Sequence, residues 1–195
     1  MKNSLHNSII NNQSIRLPSA LFTAGYQWYE RNVALFNMEK KAMWAKFPQA
    51  QLGYLPDKRM MWTVQLPNFN NIRGINWTLV LIYDTDHPSN IASGSSSRWS
   101  GSVKVYPANP SYDQLRAMAI KAGRISSSSN VPHILTDSFG RHYLCTFHPE
   151  DFKTGTITTS GLKVLGQAIR WGVAFLTGLK DQRTWNDFEK HDDQF

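Results

Sequence analysis

The segment Trp77-Thr78-Leu79-Val80-Leu81-Ile82-Tyr83 is nearly all apolar and β-branched at several positions. A run of this kind reads as a strand in the middle of a sheet, with both of its faces covered or largely covered, so it requires neighbours on either side. The preceding stretch supplies two. Residues 52–55 are followed by Met60, Trp62, Val64 and Leu66 alternating with Met61, Thr63 and Gln65, and Pro56-Asp57-Lys58 is the turn that makes them a hairpin. Val103 and Val105, alternating with Ser102, Lys104 and Tyr106, give a fourth strand that Pro107 and Pro110 are expected to stop.

Helices flank these strands. Ser19 can cap one in which Tyr26, Tyr29, Val33, Phe36, Lys40 and Met43 share a face at three- and four-residue spacing, ended by Phe47-Pro48. A shorter helix follows Ser111 through Leu115 and Met118 and is closed by Gly123. Another starts after Ser160, repeats Leu162, Leu165, Ile169, Val173 and Leu176, and ends near Gly178. Residues 84–100 and 126–130 are polar loops, and residues 131–145 form an apolar and aromatic segment with a turn at Asp137-Ser138-Phe139-Gly140. This order predicts an α+β fold with helices at the ends of an antiparallel sheet. A chain of 195 residues with 41% hydrophobic content can bury one core. Residues 18–195 are therefore expected to form a single domain behind a flexible, polar N-terminal tail at residues 1–17.

A net charge of +7 and a pI near 9.6 suit an acidic partner, but the basic residues are scattered along the chain and form no cluster of the kind that binds phosphate backbones. Exposed aromatics such as Trp28, Trp99 and Trp185 would be needed for nucleic-acid stacking, whereas seven tryptophans are more easily core and interface, so no nucleic acid is expected. One cysteine excludes an internal disulfide, and no apolar run has secretory or membrane-spanning length. The expectation is a soluble, cytoplasmic protein that engages no membrane.

That cysteine, Cys145, lies among His133, His142 and His148, and nearby positive charge or hydrogen-bond donors are what a thiol needs to ionise at neutral pH. Three readings of the residues stand side by side. Cys145 is a small buried hydrophobe between Leu144 and Thr146, or a zinc ligand with His133, His142 and His148, or a nucleophile. Glu150 and Asp151 can orient or deprotonate an incoming amine, or form a solvated acidic pair. No Gly-rich phosphate-cradling loop opens a helix, so no cofactor is expected and any carboxylate activation happens elsewhere.

Residues Val131-Pro132-His133-Ile134-Leu135, then Asp137-Ser138-Phe139-Gly140, then Tyr143-Leu144-Cys145, resemble the active-site segment of the ubiquitin-conjugating enzymes. In that family a His-Pro-Asn-like segment, a turn with glycine and an apolar pair lead to the catalytic cysteine. Residues 106–112 (Tyr-Pro-Ala-Asn-Pro-Ser-Tyr) look like the family's Pro-rich stretch, and residues 156–176 look like the helix after the cysteine. The resemblance, over roughly residues 18–180, implies an N-terminal helix, a four-stranded antiparallel meander, an active-site segment and a C-terminal helix. It implies that Cys145 carries the C-terminus of a protein as a thioester and passes it to an amine. It also implies that His133 holds the active-site loop or transfers a proton, and that Tyr143, His133 or backbone N–H groups steady the oxyanion. The family's asparagine is absent, since Ile134 and Leu135 follow His133; a short helix is inserted before His133, and the tryptophan usual after the cysteine is missing. Those departures resemble the bacterial branch found in anti-phage operons. That branch implies a cGAS-like nucleotidyltransferase or a ubiquitin-like protein as the carried partner and a separate activating enzyme. Two other classes of function remain: a non-catalytic interaction module on the same fold, and a thiol hydrolase with a Cys-His pair.

Overall fold

The computed structural model describes residues 27–67, 69, 76–88, 101–147 and 160–190. The tail expected at residues 1–17 and the Ser19 cap lie outside them. Among the described residues the chain runs α1 (Trp28–Arg31), α2 (Val33–Lys46), β1 (Gln51–Tyr54), β2 (Met60–Leu66), β3 (Trp77–Tyr83), β4 (Val103–Asn109), α3 (Tyr112–Lys121), β5 (Ile134–Thr136), β6 (His142–Leu144), α4 (Gly161–Lys180) and α5 (Gln182–Glu189). The class is α+β. No described helix is long and apolar enough to cross a membrane.

The strands form one antiparallel sheet in the order β1-β2-β3-β4-β6-β5, so β3 has a partner on each side. The sheet has six strands where the sequence reading expects a meander of four. Residues 131–145, expected to be irregular, contribute the hairpin β5–β6, which joins β4 through Val105 opposite Leu144. Strands of three residues are too short to display alternation, which is why periodicity did not reveal them. Strand β4 also runs through Pro107 instead of stopping there. Pro107 lies beside a register shift at Thr78/Leu79, beyond the single β4–β6 pair, where a missing N–H breaks no ladder on that side.

Register lines up Trp62, Leu81, Val105 and Leu144 across four strands, and all four are fully buried. Helix α4 covers this row with Val164, Leu165, Ala168, Trp171, Phe175 and Leu176, each side chain contributing about 1.5–3 kcal/mol of burial at most. On the other face of β3, Thr78 and Val80 are half-buried and Ile82 is buried. Val173, expected on the core face of α4, is exposed instead, because at 100° per residue it lies two steps from Trp171 and turns away from the sheet.

The first helix is broken rather than continuous. Asn32 leaves the helical region and its carboxamide accepts the Leu35 N–H at 3.0 Å, ending α1 and capping α2. The third expected helix ends at Lys180 and is followed by α5, which the sequence reading did not identify. Its cap is the Asp181 carboxylate on the Thr184 N–H at 2.7 Å, and Trp185 and Phe188 are buried against Phe175 and Trp171. The Arg124 guanidinium closes that corner by donating to the carbonyls of Gly178 at 2.9 Å and Leu179 at 3.2 Å, at the negative end of α4.

Helix α2 is tied to the core by a buried acid. The Glu39 carboxylate accepts from the Tyr83 hydroxyl at 2.6 Å and from the Gly161 N–H at 2.9 Å, the first free donor of α4. Burial raises its pKa, and the two hydrogen bonds pull in the opposite direction without overcoming it. A methyl group on Gly161 would overlap the phenol oxygen of Tyr83, whose ring is fully buried and has nowhere to move. Gly161→Ala is therefore expected to lower stability by about 2 kcal/mol, or a melting temperature drop of about 4–8 °C for a chain of this size. Thermal unfolding followed by circular dichroism checks it; a melting temperature unchanged from wild type would mean that the Glu39–Tyr83–Gly161 contact is not a tight one.

Candidate active site

Cys145 lies one residue beyond β6. What leads up to it is a hairpin whose turn is set by Asp137 and Gly140. The Asp137 N–H donates to the Arg141 carbonyl at 2.9 Å and the Gly140 N–H to the Asp137 carbonyl at 3.0 Å, while Gly140 takes φ 77°, a conformation that glycine adopts at no steric cost. The Asp137 carboxylate gathers four donors: the N–H groups of Phe139 and Arg141 at 2.8 and 2.9 Å, the Arg141 Nε at 2.8 Å and the Tyr106 hydroxyl at 3.0 Å. Partial burial raises the Asp137 pKa, but these bonds outweigh it and the carboxyl sits below its ordinary value. Tyr106 belongs to β4, so this carboxylate fastens the hairpin to the body of the sheet.

Beyond the hairpin's last pair, Ile134 opposite Leu144, the Cys145 N–H donates to the His133 carbonyl at 2.8 Å and extends the ladder by one rung. His133 has φ 55°, the left-handed region that a non-glycine residue enters at a cost of about 1–2 kcal/mol. Its ring is held from the far side. The Nε2 atom is hydrogen-bonded to the Phe188 carbonyl at the end of α5, and the ring meets the Phe188 ring edge-on at 5.2 Å. A carbonyl only accepts, so Nε2 carries a proton in this arrangement.

Alternation along β6 puts His142 and Leu144 on one face and Tyr143 on the other, and the next residue on the side of Tyr143 is Cys145. Cys145 as a residue is neither fully exposed nor fully buried, and as the single cysteine of the sequence it has no intrachain disulfide. Tyr143 is buried against Tyr106 at 5.9 Å, with the Lys104 ammonium over its ring at the same distance. Burial first, then the charge of a Cys145 thiolate, pushes the Tyr143 phenol up to about 12. At pH 7 it is a hydroxyl donor and not a phenolate. Farther along the same face, Asp84 pairs with Lys104 at 2.8 Å and Asp57 with Arg59 at 2.8 Å, so acids and bases there largely cancel.

Of the residues singled out from sequence, the structure brings Cys145, His133 and Tyr143 into one neighbourhood. His142 is turned elsewhere: its ring stacks on Tyr112 at 3.7 Å, and its Nδ1 meets the Thr136 hydroxyl at 3.1 Å. His148, Glu150, Asp151 and Trp99 lie outside the described residues. Among the described residues no group of three or more His, Cys, Asp or Glu side chains could hold a metal ion. Trp28 and Trp185, considered for base stacking, are each 1% exposed and so are unavailable to a nucleic acid. The sequence reading missed the Tyr106–Asp137–Arg141 brace and the Phe188 carbonyl. An Asp followed four residues later by Arg around a glycine hints at the brace, whereas a backbone carbonyl carries no side-chain signal at all. Comparison of the chain with protein-family models, with curated proteins and with solved structures finds no match.

Proposed function

We propose that this chain is a ubiquitin-conjugating-enzyme-like transferase, with the corresponding variant of the α+β fold, that holds the C-terminus of a carried protein as a thioester on Cys145. The observation that supports the reading is the seat of Cys145: a partly exposed residue whose backbone N–H is fixed by His133, two residues beyond a buried Tyr143 whose phenol feels the charge of a Cys145 thiolate and stays protonated at pH 7. A merely packed cysteine needs neither accessibility nor a neighbouring donor.

In the proposed chemistry the Cys145 thiolate adds to the carbonyl carbon of a carboxyl group already activated as a thioester on another enzyme. The new C–S bond forms, the previous carrier's thiolate leaves, and that thiolate takes up the proton Cys145 gave to solvent. A neutral lysine amine then adds to the same carbon, the C–N bond forms, the C–S bond breaks back to the Cys145 thiolate, and the amine releases its proton. Both steps pass through a tetrahedral oxyanion. Tyr143 is the donor assigned to it in the absence of the family's asparagine. His133, with Nε2 engaged by Phe188, is assigned to holding the segment rather than moving the proton. The carried protein is proposed to be a cGAS-like nucleotidyltransferase or a ubiquitin-like protein, delivered by a separate activating enzyme in the bacterial cytoplasm during anti-phage defence.

The test is the intact mass of the chain purified without reductant from cells producing its whole native operon. An added protein mass that dithiothreitol removes is expected; its absence with the activating partner present would leave the interaction module as the better reading. Tyr143→Phe keeps the ring against Tyr106 and removes only the hydroxyl, so transfer to an amine should slow by about a hundredfold while folding is retained. Single-turnover decay of the purified thioester measures this. A rate within about twofold of wild type would take the oxyanion role away from Tyr143.

A further inference from the structure

We infer that helix α5 sets the position and reactivity of Cys145, with His133 as the positioning residue that links them; the inference rests on reading Cys145 as the reacting group. Helix α5 and Cys145 are far apart in sequence, and one side chain spans the gap. The Phe188 carbonyl, in the last turn of α5, accepts from His133 Nε2, and the His133 carbonyl accepts from the Cys145 N–H. The path from α5 to the backbone of Cys145 is thus two hydrogen bonds through a single residue, and the thiol is carried on that backbone.

Three observations give that path mechanical meaning. His133 is in the left-handed region at φ 55°, which an L residue keeps only when something holds it, and its ring is the part held. The held end is firm, because Phe188 is 2% exposed and packs on Trp171, Phe175 and Trp185 in the core under α4. The hairpin itself is short, with three residues in each strand, and only Val105 of β4 pairs with it. The turn end is pinned by Asp137, and the end at Cys145 is pinned by His133. Loosening α5 therefore releases the hold on His133 and, through it, on the Cys145 N–H, while Leu144 stays packed against Val105 and the turn end stays fastened. A partner that engages the exposed side of α5 can change Cys145 without touching it.

Two substitutions separate the ring's donor from the backbone's shape. Glutamine and leucine bear the same φ cost at position 133, but only glutamine offers an N–H at a reach comparable to Nε2. The readouts are the pH profile of Cys145 alkylation by iodoacetamide and the hydrogen-exchange rate of the Cys145 amide, both on the purified full chain, with melting temperature as the control. His133→Leu is expected to speed exchange of the Cys145 amide by about tenfold and to shift the alkylation profile, while His133→Gln stays within about twofold of wild type. Phe188→Leu, which loosens α5 and keeps an apolar core residue, should reproduce the His133→Leu effect and add nothing to it in the double variant. Should His133→Leu fold poorly, His133→Asn tolerates the left-handed backbone and is too short to reach Phe188, and the same result is expected of it.

An unchanged alkylation profile and exchange rate in a folded His133→Leu or His133→Asn protein would overturn the inference, as would fully additive effects of the two positions. Neither measurement needs a carried protein. Loss of the adduct in the native operon would count against the thioester reading alone, and unaltered exchange would count against the α5 link alone.

Discussion

Cys145→Ser should retain the wild-type fold and trap the carried protein as an ester that resists thiols and yields to hydroxylamine, and Cys145→Ala should carry nothing. The physical basis is the leaving group. A thiolate is a good nucleophile and a good leaving group, so a thioester forms and breaks readily; a serine alkoxide forms slowly and, once acylated, departs slowly. Transfer to an amine is therefore expected to fall by at least about a thousandfold in the serine protein, and to be undetectable in the alanine protein. Both substitutions are nearly isosteric at a partly exposed position, so they should change stability by no more than about 1 kcal/mol. Non-reducing electrophoresis and intact mass of the three proteins, each purified with its operon partners, decide the matter. An alanine protein that still carries the adduct would move the attachment point to another residue. A serine adduct that dithiothreitol cleaves would show that the bond is not an ester at position 145.

Acid should weaken the fold through His87, by about 3 kcal/mol between pH 6.5 and about 4. The ring is 3% exposed, meets Trp28 at 4.5 Å and Tyr83 at 4.7 Å, and bonds through Nδ1 to the Ser102 hydroxyl at 3.0 Å. Its Nε2 is buried without a hydrogen-bond partner among the described residues. Burial disfavours the imidazolium and brings the pKa down from 6.5 to about 4, although the charge of Asp86 opposes this. In that window the unfolded chain binds a proton that the folded chain refuses. Stability is thus full above pH 6.5, declines as pH falls, and levels off below about 4, where both states are protonated. His87→Phe retains an aromatic ring in the same cage and removes the titration. Urea unfolding across this pH range should show the decline in wild type and a flatter profile in the variant, even if the variant is less stable at pH 7 for want of the Ser102 bond. Asp57, Asp137 and Asp181 also have lowered values, but their contribution is lost only toward and below the ordinary carboxylate range. Equal declines in the two proteins would assign the acid sensitivity elsewhere.

How far the sequence reached differs from element to element. Strand β3 was legible because its apolar run leaves a chain of this size few options other than a central strand. Helix α3 was legible because Ser111 offers a cap and Gly123 a stop around a short amphipathic stretch; the structure adds Gln114, which completes a capping box with Ser111 through reciprocal bonds of 2.7 and 3.4 Å. Helix α5 was missed although Asp181, three residues before Thr184, and the pair Trp185 and Phe188 carry a cap and one apolar face. Eight residues offer too few periods for the pattern to stand out from a tail. The break at Asn32 was missed for a different reason: the apolar spacing continues across it, and only the backbone departs.

The chemistry divides in the same way. That a single cysteine follows an apolar, turn-containing segment rich in histidine is written in the chain, and so is the likeness to a known active-site segment. Which histidine meets what is not. By composition alone His133, His142 and His148 are alike and only the resemblance favours His133, yet in the structure the His133 ring is held by a carbonyl from α5 and the His142 ring lies flat on Tyr112. The sequence by itself determined the α+β class and the central strand, because these follow from local composition and spacing, and its likeness to a known active-site segment singled out Cys145, His133 and Tyr143 as the residues to examine. Only the tertiary structure decided that the sheet has six strands, that Asp137 fastens the hairpin to β4, and that α5 reaches Cys145 through His133. Those are contacts between residues distant in sequence, formed by backbone carbonyls and packed faces, and neither leaves a local pattern.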